Sequence, residues 1–200
     1  MRNRSKNKIK FLIIRHGSTK GNEEKRYIGR TDESLSENGM NKIGEKKSVY
    51  KKTDLLFASP MKRCRQTAGI LFPYNEAIII DELREMDFGC FEGKNFSELS
   101  DDARYKEWVD SGCKGMIPDG EGFDDFINRS VTGFEKCLDI CKMHADIELA
   151  TAVVHGGTIM AVLSSLTGKD FFDFHTKNGE GYCLELEDNK LTSFNKISFD

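Results

Sequence analysis

Apolar residues fall along this chain in short runs that end in turn-forming residues. Residues 8–15 carry Phe11, Leu12, Ile13 and Ile14 in succession and give way to Gly17, a pattern that predicts a buried strand opening into a loop. Residues 54–58, 78–80 and 148–154 read the same way, the first ending at Ser59-Pro60 and the last at His155-Gly156-Gly157. Between these strands the apolar spacing changes to three and four residues, the signature of helices. A helix is predicted over 36–51, with Ser36 as N-cap and Met40, Ile43 and Tyr50 near one face. A second covers 61–71 and is stopped by Pro73, and an irregular helical stretch follows over 95–108.

The glycines and proline of 111–122 mark a turn-rich connector. From Phe123 onward, Phe126, Ile127, Phe134, Leu138 and Cys141 define a long amphipathic helix with Asp124 and Asp125 favourably placed at its start. Residues 158–167 are apolar on nearly all sides and predict a buried helix closed by Gly168. Strands over 182–186 and 191–197, joined by a turn at 187–189, complete the chain. Strands alternating with helices predict an α/β three-layer sandwich, a mainly parallel central sheet flanked by helices.

Composition narrows the partners. With 200 residues, 38% hydrophobic and 32% charged, the chain is expected to form one globular domain over 1–200. A net charge of −3 gives no general reason to expect nucleic acid or an anionic membrane as partner, so an anion site would need local positive charge. No stretch is long and apolar enough to span a bilayer. Arg2, Arg4, Lys6, Lys8 and Lys10 form a basic start, but the apolar run behind them is too short for a signal peptide; residues 1–8 are expected to be a flexible leader. Six cysteines without a CxxC pair fit reduced thiols in the cytoplasm. Cys137, Cys141 and His144 could share a helical face, yet a fourth ligand is missing nearby, so no metal is expected.

The candidate chemistry lies at strand ends. Arg15-His16 follows the first strand, Arg63 comes shortly after the second, and His155 follows the fourth. In an open α/β sheet, ligands bind outside the carboxyl ends of the strands, so these groups should converge. Two guanidiniums and two imidazoles suit a phosphoryl group, because arginine offers planar bidentate donors and keeps its charge. The helix after Gly156 would aim its free N–H groups at the same place, and glycine lets a ligand approach that backbone.

The residues from Leu12 to Asn22, with Arg15-His16-Gly17-Ser18-Thr19 and Asn22, resemble the RHGxTxxN signature of the histidine phosphatase superfamily, which includes the cofactor-dependent phosphoglycerate mutases. The resemblance runs in order through Tyr27–Asp32, Leu35–Gly39, Ala58–Arg63 with Gln66-Thr67-Ala68, Leu83–Gly89 with Phe91-Glu92-Gly93, Pro118–Glu121 and Val154–Gly157. It covers about residues 10–167.

That resemblance implies a phosphoglycerate mutase-like fold and a division of labour. His16 corresponds to the nucleophile that becomes a phosphohistidine, its tautomer set by a hydrogen bond to a nearby carbonyl such as that of Gly17. Arg15, Arg63 and His155 surround the transferring group, most usefully with His155 protonated. Asn22 corresponds to a contact to the phosphoryl oxygens, and Arg30 is a candidate to reach substrate from its loop. Glu85 corresponds to the proton donor to the leaving alkoxide and then the base for water. Its cationic neighbours are expected to lower its pKa, so that it is protonated only once substrate phosphate is bound; as a purely structural residue it would pair with Arg63 or Arg84. Trp108 and Phe88 are candidates to line the pocket, Glu121 to order a loop, and His144 and His175 fall outside the matched blocks.

The implied activity is hydrolysis of a small phosphomonoester without cofactor or metal, similar to compact members such as α-ribazole phosphatase. The stretch from Gly93 to Pro118 is short and holds no cluster of arginines for a second anionic group. Two alternatives remain: a phosphoglycerate mutase, and a phosphate-binding module without turnover. Oligomeric state is not legible in the sequence.

Overall fold

The computed structural model describes residues 8–50, 52–144 and 146–199. The expected basic leader lies outside them except for Lys8, which opens the first strand. Among the described residues the strands are β1 (Lys8–Arg15), β2 (Leu55–Ala58), β3 (Ala77–Ile79), β4 (Leu149–Val154), β5 (Gly181–Glu187) and β6 (Lys190–Ile197). They make one sheet in the order β3-β2-β4-β1-β5-β6. The β3–β2, β2–β4 and β4–β1 pairs are parallel, and β5 and β6 add an antiparallel edge.

The helices are α1 (Lys20–Glu23), α2 (Glu37–Lys46), α3 (Lys62–Leu71), α4 (Phe96–Leu99), α5 (Ala103–Asp110), α6 (Phe123–Lys142) and α7 (Gly156–Thr167). Because side chains alternate across a strand, β1 feeds two cores. Phe11 and Ile13 pack with Phe134, Cys137 and Leu138 of α6 and Ile159 and Val162 of α7. Leu12 and Ile14 pack with Ile43 of α2 and Cys64, Ala68 and Leu71 of α3. That is the three-layer sandwich, and it explains why β1 and β4 read as continuous apolar runs. A third cluster, including Met86, Phe91, Tyr105, Trp108, Phe123, Phe126 and Phe171, joins segments from the β3–α6 region to α6, α7 and the 171–174 turn.

Three departures from the sequence pattern have local causes. The helix expected over 36–51 ends at Lys46, where the Lys47 N–H reaches back to Gly44 and closes a tighter turn. Tyr50 is still buried, with its hydroxyl donating to Gly179 O, but Met40 is exposed. The irregular stretch over 95–108 divides into α4 and α5, because Asn95 and Asp102 each cap a new helix with a side-chain oxygen. Helix α7 begins at Gly156 rather than 158, with His155 as its N-cap. Cys137 and Cys141 are buried core residues whereas His144 is exposed, so the helical-face trio does not converge.

Candidate active site

β1 and β4 run side by side with Arg15 opposite Val154, so their C-terminal ends deliver His16 and His155 as neighbours. The two imidazoles meet edge to face, with centroids 5.1 Å apart. The His16 N–H donates to Val154 O at 2.9 Å, extending the ladder one residue beyond the strand. The chain then turns away, and the Gly17 N–H donates to Thr67 Oγ1 at 2.9 Å, tying the loop to α3. Thr19 caps α1 in a reciprocal box with Asn22. The Asn22 carboxamide oxygen accepts from Thr19 N and from Asn178 Nδ2, both at 3.3 Å, which presents its NH2 end as the donor.

His16 Nδ1 lies 2.6 Å from Gly17 O. A carbonyl can only accept, so Nδ1 carries the proton and Nε2 the lone pair. Burial pushes the His16 pKa well below its ordinary value, reinforced by the charges of Arg63 and Arg15 and opposed by the Gly17 hydrogen bond. His155 is depressed in the same direction, first by burial and then by Arg63, His16 and Arg15. Its Nδ1 accepts from Arg63 Nε at 3.2 Å and its Nε2 contacts Ser59 Oγ at 2.8 Å. Burial and the Arg63 donor thus disfavour the charged form of His155, whereas the role implied by the resemblance is served best by a protonated one. An imidazole already accepting from a buried guanidinium has no low-energy way to gain a second charge.

Arg63 is fully buried, and its other donors reach Thr31 O and Gly29 O at 2.8 Å each. Arg15 donates through Nη1 to Thr176 O at 2.5 Å, while its Nε is buried without a hydrogen-bond partner among the described residues. A Cβ at Gly156 would sit 3.3 Å from the Arg15 guanidinium carbon, so the guanidinium lies against bare backbone.

Glu85 faces this group from the other side. Its Oε1 accepts from Met86 N at 3.0 Å and its Oε2 from Gly157 N at 3.2 Å, so it bonds backbone at α7 rather than Arg84. A Cβ at Gly157 would lie 2.3 Å from Glu85 Oε1, so any side chain there would displace the Glu85 carboxyl from this position. The Glu85 pKa is raised, because burial outweighs the two N–H bonds and the charges of Arg63 and Arg15. This reverses the lowering expected from its cationic neighbours alone.

Two positioning residues escaped the sequence reading. Arg129 of α6 grips both carboxylate oxygens of Glu121 at 2.8 and 2.7 Å. It also donates to Glu82 O, Arg84 O and Glu85 O, stapling the backbone that carries Glu85. Glu121 thus orders a loop, as expected, but through a partner with no motif of its own. Asn178 donates to His16 O at 3.0 Å as well as to Asn22. Both bonds depend on segments distant in sequence meeting at the sheet's end.

These groups line a cavity of about 330 Å³. Arg15, His16, Asn22, Glu85 and Gly156 line it, and Trp108, Phe88 and His175 do too; His175 had no place in the expected site. Arg63 and His155 stand behind His16, fully buried, rather than on the cavity wall. Arg30 is exposed and pairs with Asp87 at 3.0 Å in a neighbouring cleft that reaches the cavity only through Glu85.

The histidine phosphatase superfamily (branch 1) matches the chain over residues 11–196. A Hydrogenobacter thermophilus protein named "Putative phosphoserine phosphatase 2" is 28% identical over 192 residues, 92% of each chain. The alpha-ribazole phosphatase from Shigella flexneri superposes with a TM-score of 0.81 at 22% identity, covering 94% of this chain and 96% of that one. A phosphoglycerate mutase from Thermus thermophilus superposes with a TM-score of 0.70 at 26% identity, covering 96% and 100%.

Proposed function

The chain belongs to the histidine phosphatase superfamily, branch 1, and from that premise we propose that it hydrolyses a small phosphomonoester through a phosphohistidine on His16. The observation that carries this reading is the fixed tautomer of His16, whose Nε2 lone pair shares a cavity with a carboxyl of raised pKa. In the first step Nε2 attacks phosphorus, the phosphorus–oxygen bond to the leaving group breaks, and Glu85 gives its proton to the departing alkoxide. In the second, Glu85 takes a proton from water as that water attacks phosphorus, and the phosphorus–nitrogen bond breaks to release inorganic phosphate and neutral His16.

Arg15 and Asn22 hold the phosphoryl oxygens, with the N-terminal turn of α7, whose Gly157 N–H already holds Glu85, beside them. Arg63, hydrogen-bonded to His155, acts from behind as a fixed positive charge near His16. A neutral imidazole next to a cation suits this task, since the nucleophile stays unprotonated at neutral pH. α-Ribazole 5'-phosphate is the first substrate to test, given the fold shared with the Shigella enzyme.

The deciding experiment is a brief exposure to substrate labelled in its phosphoryl group, quenched in alkali. An acid-labile, base-stable label is expected on wild type and none on His16→Ala, with turnover lower by about 10³-fold or more. Activity surviving in His16→Ala, or abolished by EDTA, would overturn the mechanism. A requirement for 2,3-bisphosphoglycerate would favour the mutase.

A further inference from the structure

The cavity has a second end that the chemistry above does not use. Beyond Glu85 its wall is made by Tyr27, Phe88, Trp108, Phe123, Phe126 and Phe171. These rings hold one another edge to face or tilted: Tyr27 and Phe88 have centroids 5.1 Å apart, Tyr27 and Trp108 5.8 Å, and Phe123 and Phe171 5.0 Å. Rings fixed in this way form a wall that does not need to reorganise to receive a ligand.

Charge at that end is already matched. Arg26 is the cation there, and it is held by Glu24 at 2.6 Å and Glu98 at 2.7 Å, with a further bond to Gly93 O at 2.5 Å. His175 is the other titratable base on the lining, and burial together with the charges of Arg15 and Lys196 disfavours its protonated form. A carboxylate placed among these rings would lose water and, among the described residues lining that end, meet no unpaired cation. An uncharged ring would lose only apolar hydration.

We infer that the site selects phosphomonoesters whose leaving group carries an uncharged aromatic ring, and that it rejects leaving groups bearing a carboxylate. This rests on the proposed reaction for which end of the cavity takes the phosphoryl group. It sets the chain apart from any use of phosphoserine or phosphoglycerate, both of which carry a carboxylate close to the ester.

Two non-hydrolysable probes separate pocket from chemistry: 2-phenylethylphosphonate and 2-carboxyethylphosphonate, titrated calorimetrically into the full chain. The phenyl compound is expected to bind about 10- to 100-fold more tightly. Phe172, on the cavity lining and 47% exposed, allows a charge test without opening the core. Phe172→Arg should narrow the ratio by about tenfold through the carboxylate ligand, whereas Phe172→Glu should not narrow it. Equal affinities in wild type, a preference for the carboxylate, or the same shift from both substitutions would overturn the assignment. The reaction itself is judged separately, by whether 2-phenylethyl phosphate turnover needs His16: its failure leaves the binding ratio standing, and a failed ratio leaves the phosphohistidine standing.

Discussion

The two ends of the cavity are built on different physical terms. At the phosphoryl end each side chain is fixed by directional bonds to backbone: His16 to Gly17 O, Arg63 to Gly29 O and Thr31 O, Glu85 to Met86 N and Gly157 N. At the aromatic end the rings are held by one another, and they come from widely separated segments around residues 27, 88, 108, 123–126 and 171. Directional bonding permits almost no change of residue, whereas packed apolar walls tolerate exchange if volume is kept. A single scaffold can therefore keep its chemistry and vary its leaving group, which is why shared fold alone does not name a substrate.

Glu85 stands where the two ends meet, so its removal gives the largest and most discriminating effect. Glu85→Gln should lower kcat/KM for an alkyl phosphate by about 10²- to 10⁴-fold. For p-nitrophenyl phosphate, whose leaving group needs no proton, the loss should be within about tenfold. The pH profile carries the sign. His16, with its depressed pKa, loses its lone pair only well below the ordinary histidine range, and Glu85, with its raised pKa, loses its proton as pH climbs through that value. Wild-type kcat/KM for the alkyl substrate should therefore decline on the alkaline side, and the ratio of wild type to Glu85→Gln should shrink as pH rises. Equal losses for both leaving groups would erase the boundary between the two ends.

Arg129 acts at the same boundary from outside the cavity. Arg129→Met keeps the Glu85 carboxyl but removes three bonds to the backbone around it and leaves Glu121 without its partner. The expected result is a drop in kcat of about tenfold on alkyl phosphates with KM nearly constant, since a displaced acid weakens the transition state and not substrate binding. The alkaline limb should move with it, while p-nitrophenyl phosphate responds little. A matching loss on both substrates would make Arg129 a support of the whole fold.

The contrast between the ends also explains what could be read in advance. Strand ends, the Arg15-His16-Gly17 turn and the His155-Gly156-Gly157 helix start are local in sequence, and local patterns located them. Trp108 and Phe88 were candidates for the pocket lining and do line it, whereas Phe123 and Phe126 read only as positions on an amphipathic helix, since apolar residues look the same in a core and in a pocket wall. Arg129 and Asn178 act through backbone groups far away in the chain, and no spacing rule anticipates such bonds. The ionisation of Glu85 was expected from the charges beside it and that of His155 from the role the resemblance implies, but burial is the larger influence on both and has no linear signature. The overlong helix at 36–51 failed for a related reason: Tyr50 is apolar at the right interval, yet it reaches the core from beyond a turn.

The smallest effect tests the phosphoryl end through stability. His16 and His155 are buried and neutral, so the unfolded chain takes up protons at these positions as pH falls below about 6.5 while the folded chain does not. Each such histidine lowers stability by about 1 kcal/mol over the first pH unit below 6.5, its slope approaching about 1.4 kcal/mol per unit at lower pH. Glu85 works in the opposite sense: its raised folded pKa makes the native state bind a proton before the unfolded one, which offsets part of the loss as pH approaches the ordinary carboxyl range. The melting temperature should thus fall between pH 6.5 and 5.5, by about 2–4 °C for each kcal/mol in a chain of this size. His16→Asn should reduce that slope by about a third to a half, since one of the two fully buried histidines is gone while His175 keeps its smaller share. Phe172→Arg, at the aromatic end, should leave the slope as in wild type. Were the slope insensitive to His16→Asn, the acid sensitivity would belong to groups outside the phosphoryl end, and the neutral pair could not be what holds His16 ready to attack.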